Sequence, residues 1–553
     1  MAQQTGLAEP LCRILTRLGV PAAAAEDYLE PSLRKLMPDP SSLRDMDVAA
    51  ERVGAAVLAR APVALFADYD VDGAASAALM LRWLRALGQD ATLYIPDRLS
   101  EGYGPNVPAM RQLAEDHRLI LCLDCGTATP EPIAVARAAG ADVVVLDHHL
   151  APDALPHATA LVNPNRHDED GALGALCAAG VVFLLLVAAN RFLRRRGVEG
   201  PDLLELLDLV ALATVADVAP LTGLNRAFVR QGLKVMARRE RPGLAALSDV
   251  ARLRRAPNAY HLGFALGPRI NAGGRIGSAD LGARLLATDH AGEAQALAAR
   301  LDALNRERQA IEAAVLEAAR AQVEARGSNG PLVWAAGEGW HPGVVGIVAA
   351  RLAELFDRPA IVIGLSEAGG KGSGRSRPGI DLGSAVAKLT AEGLLRKGGG
   401  HPMAAGLELD PAALQPAMER LAALLAAQDA RPARRELTLD GLLSPAGLSV
   451  DLLEEIARAG PFGAAAPAPR FAFPALRVAH ARTVGNGHLQ LRCTDAGGAT
   501  LQAIAFGAAG GPLAQLLQPG SPRPVHLAGR VEIDEWQGRR QPKLHVEDAA
   551  PAS

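Results

Sequence analysis

The chain has 553 residues, 49% of them hydrophobic and 21% charged, with a formal net charge of −3. This is globular composition with material for two to four cores, and the charge excludes a uniformly basic nucleic-acid coat. Aromatics at 3% confine base stacking to a few positions, and the five cysteines supply neither a disulfide framework nor a second C-x2-C pair to complete a zinc site with Cys122 and Cys125.

Residues 1–50 read as helical and polar-edged, punctuated by Pro31 and Pro38, and form an N-terminal extension. The start shows no basic segment followed by an apolar core, so a cytoplasmic protein is expected. From Ala61 apolar strands alternate with helices. Val63–Phe66, Ala91–Ile95, Leu119–Leu123 and Val143–Leu146 read as strands, and Ala74–Leu87 and about Glu131–Ala139 as helices. This alternation predicts a parallel sheet with right-handed crossovers. Gly171–Ala189 is uncharged and just long enough to span a membrane, but it is rich in Gly and Ala and lacks an aromatic belt. It reads as a buried core helix.

Leu203–Val218 reads as a helix ending near Asp217, and Ala291–Arg326 as a long helix bridging two domains. A second α/β unit runs from Leu332 to about residue 428, and residues 427–435 read as a linker. Beyond it the period changes to alternation, in His488–Cys493, Thr500–Phe506 and Val525–Ile533, with turns at Gly485-Asn486-Gly487 and Ala496-Gly497-Gly498. Short strands so spaced predict a small β-barrel. The expected fold is α/β: two α/β domains joined by a long helix, plus a C-terminal barrel. The boundaries are 1–50 for the extension, 51–290 for the first domain, 291–328 for the connecting helix, 329–428 for the second domain and 436–550 for the barrel.

The chemistry concentrates in three clusters: Asp68-Tyr69-Asp70-Val71-Asp72-Gly73, Asp124-Cys125-Gly126 and Asp147-His148-His149. Each follows a predicted strand, and ligands of open parallel sheets bind outside the strands' carboxyl ends. A lone Asp there is commonly a helix N-cap; three clusters in the same place are not. Gathered together, these carboxylates would repel and raise one another's pKa. Two divalent cations, Mn²⁺ or Mg²⁺, resolve that repulsion and make a phosphoryl-transfer site, so a metal-dependent phosphodiesterase is expected. Three Gly-rich stretches, 271–275, 369–377 and 398–401, read as flexible turns. Gly369–Arg377 lacks the order of a Walker loop, but its amides, hydroxyl and arginines suit a phosphate. Arg194-Arg195-Arg196 reads as a solvated helix end.

Asp68–Gly73, Asp124–Gly126, Asp147-His148-His149 and Asp217 resemble the four motifs of the DHH phosphoesterase superfamily. Asn163-Pro164-Asn165, Leu209–Pro220, Gly267–Asn271, Gly339–Ile347, Gly399–Gly406 and Gly460–Gly463 resemble its single-strand-specific exonuclease branch, over about residues 40 to 550. The resemblance implies a 5′→3′ exonuclease that releases 5′-mononucleotides from single-stranded DNA in repair and recombination, with a barrel of OB-fold type. It implies that Asp68, Asp70, Asp124, His148 and Asp217 hold the two cations, with Asp124 bridging them. His149 would contact the scissile phosphate, and Asp72 and Asp147 would orient the metal-binding groups. Arg275, Ser373, Arg375 and His401, with Arg98 beside them, would face the 5′ nucleotide. Family partners would be a single-strand-binding protein and a helicase, and the chain a monomer. Some relatives carry His at the place of Phe66, and Phe cannot ligate a cation. Two alternatives stand beside this reading: a phosphodiesterase for short oligonucleotides or cyclic dinucleotides, and a non-catalytic DNA-binding relative.

Overall fold

Val63–Ala67 (β1), Leu119–Leu123 (β3) and Asp142–Leu146 (β4) are nearly continuous apolar runs because both of their faces are covered. With Thr92–Tyr94 (β2) and Ala160–Val162 (β5) they form an all-parallel sheet of order β2-β1-β3-β4-β5. The computed structural model describes residues 1–98, 100–428, 436–485, 487–520, 523–536 and 538–552, the Trp536 side chain excepted. Leu65, Leu121 and Val144 face the larger core, together with the helices Val71–Ala86 and Ala178–Arg194. Phe66, Cys122 and Val145 face Met110 and Ile133 on the other side.

Two expectations change here. The helix after the first cluster begins at Val71, not Ala74, because the Asp70 carboxylate caps it, accepting from the backbone N–H of Asp72 at 2.9 Å and of Gly73 at 3.1 Å. The apolar run 171–189 divides into a loop and the buried helix Ala178–Arg194. Among the described residues no helix is long and apolar enough to cross a membrane.

The helix Ala291–Arg326 has 36 residues, a rod of about 54 Å. Its first half puts Leu297, Ala298 and Leu301 into the first core; its second half puts Val315, Ala319 and Val323 into another, beneath the second sheet. That sheet has the order β6-β7-β8-β10-β9, from Val333–Glu338 (β6), Ala360–Ser366 (β7), Gly369–Arg375 (β8), Lys397–His401 (β9) and Ala404–Leu409 (β10).

All three Gly-rich turn readings are therefore corrected. Gly369–Arg375 is the central strand, paired on both sides, so ladder bonds rather than a phosphate occupy its backbone amides. Its glycines make room: a Cβ on Gly372 would stand 2.8 Å from Ile363 Cγ1, and one on Gly374 2.5 Å from Ile361 Cδ1. Alternation then puts Lys371, Ser373 and Arg375 together on the opposite face. Gly398–His401 belongs to the edge strand β9, and Asn271–Arg275 lies inside the helix Gly267–Ile276.

The C-terminal strands are Gly441–Leu442 (β11), Phe471–Val484 (β12), His488–Thr494 (β13), Thr500–Ala505 (β14), Val525–Trp536 (β15) and Arg539–Pro551 (β16). The order is β11-β12-β13-β14-β16-β15, and pairing of β12 with β15 closes the barrel. Of the expected linker, residues 429–435 lie outside the described residues, as does Asn486 of the first expected turn.

The N-terminal region is not a separate extension. Leu11, Ile14, Leu15 and Leu29 are buried in the barrel's own core beside Leu453, Phe473 and Leu527. The boundary expected at residue 50 falls inside the helix Met46–Ala59. Arg226, on the helix Gly223–Ala237, locks this arrangement. Its buried guanidinium donates to the carbonyls of Tyr28 (2.9 Å), Ala459 (2.9 Å) and Gly460 (2.6 Å), and lies 3.8 Å over the Tyr28 ring.

Candidate active site

Asp68, Asp124 and Asp147 are each the first residue beyond a strand, and β1, β3 and β4 are neighbours. Each extends the parallel ladder by one rung: Asp68 N–H donates to Leu123 O, Asp124 N–H to Leu146 O, and Asp147 N–H to Val162 O. The three acids are thus anchored by backbone at one rim of the sheet. Close packing below them depends on glycine. A Cβ on Gly73 would stand 2.3 Å from the Asp68 carbonyl oxygen, and one on Gly274 2.9 Å from Tyr69 O. Asp124 and Val218, the latter immediately after Asp217, both have positive φ, 60° and 59°. Such backbone is costly for a β-branched residue and gathers at functional sites.

Potential ligand atoms gather in three groups, each with its atoms within 4.8 Å of one another: Asp68, Asp70 and Asp124; Asp124, His148 and His149; Asp72, His148 and Asp217. All five expected metal ligands fall in these groups, and Asp124 is common to two of them. His148 Nε2 stands 3.3 Å from Asp124 Oδ1, 3.7 Å from Asp72 Oδ2 and 3.8 Å from Asp217 Oδ2. The cage is short of partners. Asp68 Oδ1 and Asp124 Oδ1 are buried without any hydrogen bond, the situation that a protein interior avoids unless another group arrives. Burial, then the charge of Asp70, pushes Asp68 up to about 8; the same two causes push Asp217 up to about 7. Burial and the charge of Asp72 raise Asp124 well above the carboxylate range. These residues fit divalent cations, which would complete the orphaned oxygens and hold the acids ionised.

Asp147 differs from the other acids. It accepts from the N–H groups of Thr127, His148 and His149 and from His149 Nδ1 at 2.8 Å. Burial opposes its charge, but these bonds win and hold it below the usual range. Burial likewise opposes charge on His149, yet the Asp147 bond raises that imidazole to about 9. Burial and the neighbouring His149 lower His148, so one ring is suited to ligation and the other to donation. Asp72 is spent structurally: its two oxygens accept from Ala178 N–H at 2.7 Å and Ala179 N–H at 2.8 Å, pinning the start of the helix Ala178–Arg194.

The expected nucleotide-facing residues come together less tightly. Arg98 lies 5.2 Å from the Tyr69 ring centroid. Arg275 donates to Gly343 O at 3.1 Å, across the seam between the two α/β units. Arg375 donates to Ser373 Oγ at 3.1 Å. Burial, then the charge of Arg98, lowers both Arg275, to about 10, and Arg375; the three guanidiniums share one field. His401 is exposed on β9, opposite Ala404, which also pairs with Arg375. Arg375 and His401 therefore share a face, about two strand spacings apart. Phe66, the apolar departure, is buried and stacked on Tyr94 at 5.4 Å.

Residues given no role by sequence reasoning also shape the site. Tyr103 Oη donates to Asp124 O at 3.1 Å and lies 3.3 Å from His149 Nδ1. Asn163 Nδ2 donates to His149 O at 2.8 Å and Asn165 Nδ2 to His148 O at 2.6 Å, fixing the backbone of both histidines. The Asn-Pro-Asn spacing was the available signal for this pair. Arg308, buried on the long helix, adds its field to that of Arg275 and carried no signal.

The parallel sheet with this acid rim, the second α/β unit and the closed barrel define a class, the DHH-type proteins. The model of the DHH family, N-terminal domain, matches residues 62–214, that of the DHHA1 domain 329–427, and that of the RecJ OB domain 439–548. The single-stranded-DNA-specific exonuclease RecJ of Salmonella typhimurium is 37% identical over 95% of this chain and 93% of its own length; that of Escherichia coli is 36% identical over 98% and 96%. A crystal structure of RecJ from Thermus thermophilus in complex with Mn²⁺ superposes with a TM-score of 0.83 at 30% identity, over 99% of this chain and 77% of that one. The chain belongs to the RecJ family.

Proposed function

We propose that the protein hydrolyses single-stranded DNA from the 5′ end, releasing 5′-mononucleotides, with two divalent cations, Mn²⁺ or Mg²⁺, in DNA repair and recombination. The observation that carries this reading is the pair of buried carboxylate oxygens without hydrogen bonds on Asp68 and Asp124, in an acid rim within a chain that also carries a second α/β unit and a closed barrel. When bound, the cations would activate water and neutralise charge on the phosphoryl oxygens.

The chain's own groups would divide the work. Asp68, Asp70, Asp124, His148 and Asp217 hold the cations, with Asp124 shared. Asp147 fixes the His149 ring through Nδ1, and His149, protonated at neutral pH, donates to the scissile phosphate. Asp72 and Asp147 orient the metal-binding groups. Arg98, Arg275, Ser373, Arg375 and His401 receive the 5′ nucleotide, and a terminal phosphate held there sets polarity. The barrel grips the trailing strand, so selectivity comes from shape rather than base readout. For this purpose the first α/β unit, up to residue 290, acts as the catalytic unit, 291–328 as the connecting helix, 329–428 as the end-binding unit and 436–550 as the strand-binding unit. A monomer in the cytoplasm, working beside a single-strand-binding protein and a helicase, completes the proposal.

The test is a 5′-labelled single strand of several tens of nucleotides incubated with Mn²⁺. Immediate release of labelled mononucleotide is expected. Cleavage confined to di- and trinucleotides would instead favour the small-substrate phosphodiesterase, and binding without cleavage a non-catalytic protein.

A further inference from the structure

Four aromatic side chains are largely exposed among the described residues: Tyr103, Tyr260, Phe264 and Phe506. Tyr103 belongs to the acid site, and Phe506 stands on the barrel between His488 and His545. Tyr260 and Phe264 belong to neither. They are 61% and 72% exposed, yet their rings stack on each other with centroids 4.9 Å apart and planes 25° apart.

Their place in the chain explains the arrangement. Ala259–His261, one π-helical segment Leu262–Leu266 and Gly267–Ile276 run on as a single rod. The wider turn keeps Leu262 and Leu266 in the core and leaves Tyr260 and Phe264, four residues apart, on the solvent side. The middle of the rod abuts the acid site: a Cβ on Gly267 would stand 3.4 Å from Ala216 Cβ, next to Asp217. The segment before the rod reaches the barrel, where Arg255 pairs with Glu535 of β15 at 2.9 Å. That segment also exposes Arg252 and Arg254. Two flat rings and exposed arginines thus belong to a stretch of chain that touches the barrel at Arg255 and packs beside Asp217 at Gly267.

We propose that Tyr260 and Phe264 are a base-stacking step on the path of the single strand from barrel to active site, with Arg252 and Arg254 following its phosphates. The inference rests on the exonuclease reading above and adds the residues that hold the strand's bases. A ring stacked on a base does not depend on base identity, so such a step grips any sequence; guanidiniums beside it neutralise phosphate without reading bases.

The experiment compares the wild type with the Tyr260→Leu/Phe264→Leu double variant, which keeps apolar bulk but removes both ring faces. The substrates are a thirty-nucleotide oligothymidylate, the dinucleotide, and a thirty-nucleotide strand whose internal sugars are abasic. KM for the long strand is expected to rise about tenfold more than KM for the dinucleotide, and the two proteins should converge on the abasic strand. Phe264→Trp should lower KM for the long strand. Equal shifts on all three substrates, or no shift on the long strand, would overturn the step while leaving the exonuclease reading intact. A wild type that leaves the long strand uncut would overturn the proposed function and this step with it.

Discussion

Arg226 and the Asp68–Asp124 pair are equally hidden from solvent, yet their polar atoms are served in opposite ways. The guanidinium of Arg226 finds four backbone carbonyls and an aromatic face, all from segments distant in sequence. The carboxylates of Asp68 and Asp124 each keep one oxygen with no hydrogen bond among the described residues. A buried charge whose bonds are filled holds a structure together; one whose bonds are left open waits for a ligand. Asp147, only a few ångströms from Asp124, belongs with Arg226 in this respect: its acceptors are filled and its charge is stabilised.

Substitutions should separate the two kinds. The largest expected effect is on catalysis: Asp124→Asn should lower the rate of single-strand hydrolysis by more than about 1,000-fold, the scale of lost charge stabilisation. The same variant should raise the metal-free melting temperature at pH 8, because one of several crowded buried acids disappears; a fall would give Asp124 a structural role. Arg226→Met should do the reverse. It strands the carbonyls that the guanidinium serves and should cost on the order of 3 kcal/mol in denaturant unfolding, whereas an unchanged midpoint would make the lock dispensable.

A smaller effect concerns pH. Asp68 and Asp217, raised to about 8 and about 7, carry protons in the folded metal-free protein that the unfolded chain has lost above about pH 4. The folded state thus binds more protons, and their contribution to stability is lost as pH rises through 7 to 8. Cations must displace those protons, so calorimetric Mn²⁺ affinity should be weaker at pH 6 than at pH 8.5, with proton release on binding. Affinity independent of pH would show the cage to be ionised already. The smallest effect is expected at the 5′-end residues. Arg375→Ala should raise KM for 5′-phosphorylated strands about tenfold over unphosphorylated ones and shift the melting temperature by less than about 2 °C. The opposite pattern would make Arg375 structural.

The acid rim was legible because it depends on local order: an apolar strand, then an acid, three times over. The long helix was legible to the residue, since nothing between Ala291 and Arg326 breaks it. The Gly-rich stretches misled for a physical reason. The glycines of β8 serve Ile361, Ile363 and Leu407, which come from neighbouring strands, and one-dimensional reading cannot see a neighbour. Strands β12 and β16 escaped for a related reason. Pro474 and Ala475, the latter at positive φ, interrupt the alternation of β12, and β16 opens with Arg539-Arg540-Gln541-Pro542, which has no apolar face of its own. Arg226 offered no sequence signal, because its acceptors are main-chain atoms.

The burial of Leu11, Ile14, Leu15 and Leu29 among barrel side chains bears on how the molecule is made. During synthesis these leucines and isoleucine leave the ribosome more than four hundred residues ahead of the strands that shelter them. Until β12 to β16 are translated, the leading helix has no greasy surface of its own to settle on. Apolar side chains that wait so long for their shelter are exposed to aggregation in the meantime.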